Sequence, residues 1–133
     1  MHTRKRDKEG YTSPLLRLTG FFQGGYYVLT GVWSLVSIAS FQAVTGAKTD
    51  IWLVKTVGLL VTVSGMVFLF SAVRRSFPVE TVLLGVGTAL SLACIEIIYG
   101  SGGRISSVYL LDALLELVIV GLWIMGIRRQ GKK

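Results

Sequence analysis

The chain has 133 residues, 52% of them hydrophobic and 16% charged, with a mean hydropathy of +0.64 and a formal charge of +7. That apolar excess places it in the membrane class rather than among small soluble domains. Its basic residues cluster between long apolar runs, which marks membrane topology and speaks against a nucleic-acid partner. The single cysteine, Cys94, excludes an intrachain disulfide and a Cys-x-x-Cys redox pair, and the single histidine, His2, leaves haem or zinc without its usual ligands, so no metal or other cofactor is expected.

Residues 1–13 read as a solvated basic tail that meets anionic headgroups. The first apolar run, residues 18–40, is longer than the roughly 7–15 residues of a secretory h-region and lacks a small-x-small cleavage site, so a mature span is expected. Within it Gly20 and Gly24 form a G-x-x-x-G pair that Gly31 and Ser34 continue as a close-packing stripe. The separator QAVTGAKTD is either a turn in which Asp50 caps the next helix or an outer ligand loop. A second span, 51–72, contains Lys55. After RRSFPVE, whose Pro78 suits a helix start, comes a third span, 79–99, with a small-residue groove of Gly85, Ala89 and Ala93 and with Cys94 as a small core residue. YGSGGRISS then leads to a fourth span, 107–127, and a basic tail, 128–133.

Each run of about 20 apolar residues is long enough to cross a hydrocarbon core of about 30 Å. With short connections the four should pack antiparallel, giving an all-α, up-down-up-down membrane bundle over residues 14–127. Trp52, Tyr99, Tyr109 and Trp123 lie at span ends and read as interfacial anchors. Eleven basic residues (Arg4, Lys5, Arg6, Lys8, Arg17, Arg74, Arg75, Arg128, Arg129, Lys132 and Lys133) flank one side of the spans and only Lys48 and Arg104 the other. By the positive-inside rule both termini are cytoplasmic.

The ionisable residues inside the spans converge by depth. At about 1.5 Å per residue, Lys55, Glu96 and Asp112 come some 5–8 Å inside the outer boundary and Glu116 about 13 Å. Asp112 and Glu116 share a face at i, i+4, and Glu96 extends the Gly85, Ala89, Ala93 face of its helix. The first span offers Tyr27, Thr30 and Trp33 at matching depth, below the Asp50 and Arg104 loops. These residues predict an outward-facing polar pocket of three acids, one lysine and an aromatic wall. An intramembrane acid costs about 2.5–3.5 kcal/mol at the helix centre, so a surplus of acids over lysines points to proton or cation handling. The alternative pairs Lys55 with Glu96 or Asp112 to lock helices and leaves Glu116 neutral, hydrogen-bonded to Tyr27 or Thr30. For Tyr26 and Tyr27 helix packing competes with ligand contact, and Gln23 has no evident role.

At LLRLTGFFQGGYYVLTGVW the chain resembles the opening of DoxX-like membrane proteins, small four-helix bundles. SFQAVTGAKTDIWLVKTVG together with YLLDALLEL resembles a group of short bacterial membrane proteins. The second likeness implies a bacterial inner-membrane location, and neither supplies an activity. Two functions compete: a module that binds or transports a cation, a proton or a small amphipathic molecule, and a non-catalytic accessory subunit whose polar cluster holds its helices together. An enzyme is disfavoured because no paired nucleophile, metal motif or phosphate loop accompanies the acids. The expected partners are the lipid bilayer and either a second copy or a larger membrane complex.

Overall fold

The computed structural model describes residues 12–131. His2, the basic residues of 1–11, Lys132 and Lys133 lie outside the described residues. The described chain is all helix, without a strand. Its helices are α1 (Pro14–Val36), α2 (Ile38–Thr45), α3 (Ile51–Arg74), α4 (Val79–Ser101) and α5 (Val108–Gly131). The last three are long and apolar enough to cross a membrane, and α1 with α2, bent by 115° at their break, makes a fourth when the pair is taken as one span. The chain is thus an all-α membrane bundle.

Local chemistry sets the helix ends. Pro14 occupies the first turn of α1, where its missing N–H has no partner to lose. Arg75 closes α3 in the left-handed region (φ 54°), with its N–H bonded to the Ala72 carbonyl. Glu80 in the first turn of α4, and Arg128 and Arg129 in the last turn of α5, complement the helix dipoles.

The first span does not run straight to residue 40. It stops at Val36, and Ser37 leaves the helical region (φ −140°, ψ 79°). The Ser37 N–H still bonds the Trp33 carbonyl at 3.0 Å, but Ser40 Oγ donates to Ser37 Oγ at 2.7 Å and accepts from Trp33 Nε1 at 2.9 Å. These side-chain bonds fix the turn and send α2 off at its sharp angle.

Glycines decide which helices pair. On α1, a Cβ at Gly24 would stand 2.8 Å from the Gly65 carbonyl oxygen, and one at Gly31 would stand 2.6 Å from that of Gly58, so α1 and α3 meet backbone to backbone. On α4, Gly85 is roofed by the Trp123 indole of α5. Helix α1 also packs on α5, whereas α3 and α4 scarcely touch. The helices therefore run α3, α1, α5, α4 around the bundle, with the α3–α4 side open.

The tightest packing lies toward the end that carries Pro14 and Gly131, called proximal below. Leu16, Phe68, Ile119 and Trp123 are buried there, with Phe68, Phe77 and Trp123 in edge-to-face contact at centroid distances of 5.7–6.2 Å. Trp123, expected at an interface, is wholly buried. Helix α5 continues to Gly131 and so sets the indole two turns from the helix end, Gly85 leaves it room, and Gln23 Oε1 accepts its N–H at 2.7 Å. Gln23 also donates to the Gly85 carbonyl at 3.0 Å, so this glutamine ties α1 to both α4 and α5. Trp52, by contrast, is 68% exposed. Cys94 is exposed rather than in the core, one position off the buried Ala89, Ala93, Glu96 face.

Candidate functional site

Toward the other, distal end, near the 46–50 and 102–107 loops, the helices diverge around a cavity of about 720 Å³. Tyr26, Tyr27, Thr30 and Trp33 enter it from α1, Phe41 from α2, Val57 and Val61 from α3, Leu92 and Glu96 from α4, and Asp112 and Glu116 from α5. Tyr27 lies at its proximal end and packs on Phe68 with ring centroids 5.9 Å apart.

The three acids are held differently. Glu116, 1% exposed, accepts a hydrogen bond from Tyr27 OH at 2.9 Å. Asp112 Oδ1 accepts one from Tyr26 OH. Both bonds cross from α1 to α5, which explains why two tyrosines stand side by side: adjacent positions on α1 reach acids one turn apart on α5. Glu96, only 5% exposed, stands within hydrogen-bonding reach of the Asp112 carboxyl and near Glu116, while its Oε2 atom has no donor. Among the described residues no lysine or arginine donates to any of the three. Nor do any three acidic, histidine or cysteine side chains of the described residues stand close enough together to hold a metal ion.

The structure does not bring Lys55 to this cluster. The cavity face of α3 consists of Leu53, Val54, Val57, Gly58 and Val61, and Lys55 lies off that face, exposed, where its long stem lets the ammonium reach the interface. Counting depth alone gave Lys55 the right level without the right face. Lys55→Met is accordingly expected to change the unfolding free energy by no more than about 0.5 kcal/mol in a detergent denaturation series; the locking pair would cost several times that.

The lysine that does line the cavity is Lys48. Its ammonium donates to the carbonyls of Thr45 (2.9 Å) and Gly46 (3.1 Å) and lies 5.0 Å from the Tyr109 ring centroid, so it caps the C-terminus of α2 and does not pair with an acid. The readable signal was the helix-ending T-G-A-K, which became meaningful only once α2 existed as a helix. Asp50 also lines the cavity, at its mouth. It starts α3 through its carbonyl, bonded by the N–H groups of Leu53 and Val54, while its side chain makes no capping bond. Arg104 is exposed and outside the cavity lining. Thr30 and Trp33 line the cavity, but their own hydrogen bonds go to the α1 backbone and to Ser40.

Comparison with known proteins finds no family model, no curated protein and no solved structure that matches the chain. Function must be argued from the cavity itself.

Proposed function

We propose that this chain is a bacterial inner-membrane protein, both termini cytoplasmic, whose outward-facing cavity binds a small organic cation. The orientation is supported by the distribution of basic residues: among the described residues Arg17, Arg74, Arg75, Arg128 and Arg129 lie on the proximal side against Lys48 and Arg104 on the distal side. One observation carries the ligand reading: Glu96, buried beside two further acids, leaves a carboxylate oxygen without a partner on the wall of a cavity. An unsatisfied buried polar atom is costly, and an ammonium placed there satisfies it while offsetting acidic charge. A volume of about 720 Å³ suits a molecule rather than a bare ion, and the aromatic and aliphatic walls suit one with an apolar body. Tyr27 and the aromatic core beneath it stand at the inner end; transport needs that packing to open, with a second copy or a larger complex as the supporting assembly.

The test is equilibrium binding of radiolabelled butylamine to the protein in nanodiscs. Glu96→Gln, which keeps the shape and removes the charge, is expected to weaken binding by about tenfold or more. Equal binding by wild type and variant sinks the assignment of Glu96, and no binding by wild type sinks the cation reading. A second reading, an accessory subunit whose polar groups only join helices, is favoured by the Tyr26–Asp112 and Tyr27–Glu116 bonds between α1 and α5. It leaves the Oε2 atom of Glu96 unexplained, since no donor reaches it.

A further inference from the structure

The α3–α4 side of the bundle carries a second hollow. It has a volume of about 540 Å³ and is lined by Leu60 and Ser64 of α3 and Leu83, Gly87 and Ser91 of α4. Tyr27, Val57, Val61 and Leu92 line both hollows, so the acid cavity and this groove share one wall. The groove exists because α3 and α4 scarcely touch, and it faces outward, with Leu60 and Leu83 exposed. It runs from Leu92, near the middle of α4, toward Glu80, which lines its proximal end, and away from Glu96, Asp112 and Glu116. In the bilayer that direction leads from near the midplane toward the proximal interface.

We infer that the occupant is an amphiphilic organic amine whose ammonium meets Glu96 and whose alkyl chain lies in the α3–α4 groove, reached sideways from the membrane. The inference rests on the cation-binding reading and adds the ligand class and its route. Charge complementarity supports it at one end, where a buried carboxylate oxygen is unpartnered. At the other end, an apolar hollow adjoins the acid cavity through residues that belong to both. Glu96 and Gly87 are nine residues apart on α4, about 13 Å along the axis, a span that a dodecyl chain covers.

Gly87 makes the idea testable, because a Cβ there would meet nothing within 4 Å. Gly87→Phe fills the groove without forcing the backbone, and Ser64→Phe fills it from the facing helix. Butylamine and dodecylamine are titrated into nanodiscs of zwitterionic lipid that hold wild type or either variant, with partition into protein-free discs subtracted. The expected result is dodecylamine binding about tenfold or more tighter than butylamine in wild type, an advantage lost in both phenylalanine variants. Butylamine affinity should remain within about twofold in every case, which certifies a folded acid cavity. An advantage that survives in both variants overturns the inference while leaving the cation site standing. So does an equal affinity of the two amines for wild type. A change of oligomeric mass in the variants with unaltered dodecylamine binding assigns the groove to a second copy of the chain and also overturns it. If wild type binds neither amine, the cation reading itself has failed.

Discussion

Gly31→Ala is expected to cost the bundle about 3 kcal/mol or more, read as a shift in its SDS-induced unfolding followed by circular dichroism. The added methyl would stand 2.6 Å from the Gly58 carbonyl oxygen and 3.0 Å from the Thr62 amide nitrogen. Both are backbone atoms of a regular helix and neither can rotate away, so relief requires α1 and α3 to separate along their whole seam. Separation would loosen the neighbouring contact at Gly24 and Gly65 as well, and in a bilayer no hydrophobic driving force offsets lost van der Waals packing. Gly25→Ala is the internal control, since a Cβ there meets nothing within 4 Å. It is expected to unfold like wild type or slightly later, because alanine is the better helix former. If both alanines behave alike, the glycine seam does not hold α1 to α3.

Trp123→Ala is expected to be comparably severe, by about 3–5 kcal/mol on the same measurement. The indole is wholly buried, packs edge-to-face on Phe68 and Phe77, and covers Gly85. Its removal opens a cavity at the densest part of the bundle and strips Gln23 Oε1 of its donor. Trp123→Phe separates the two losses: it refills most of the volume, so the remaining deficit, on the order of 1–2 kcal/mol, reports the hydrogen bond. Trp52→Ala, at a residue 68% exposed, should leave unfolding within about 0.5 kcal/mol of wild type. Equal effects at Trp52 and Trp123 would contradict the assignment of the core.

The all-α bundle of apolar spans was legible because apolar length and small-residue stripes are local signals. The glycines at 20, 24, 31 and 85 sit on buried faces, and the acid at 96 follows its face by simple periodicity. Level along the axis was equally readable, which is how Glu96, Asp112 and Glu116 emerge together around one cavity. Three features were not legible, each for a reason of tertiary origin. The break at Ser37 depends on a ring of side-chain bonds among Trp33, Ser37 and Ser40 that no propensity encodes. The choice between Lys55 and Lys48 depends on azimuth around α3 and on a short helix absent from the hydropathy pattern. The burial of Trp123 and the role of Gln23 depend on each other, because each polar group is tolerable inside only when the other is present.

The close seam between α1 and α3 also has a consequence for the order in which the protein is made. Synthesis delivers the first half of the chain ahead of the second, and the glycine-lined pair needs nothing from α4 or α5 to close. Tyr26 and Tyr27 therefore precede their hydrogen-bond partners Asp112 and Glu116, which come with the last helix. Those two acids enter lipid with their donors waiting. Glu96, which arrives before α5, finds no donor of its own.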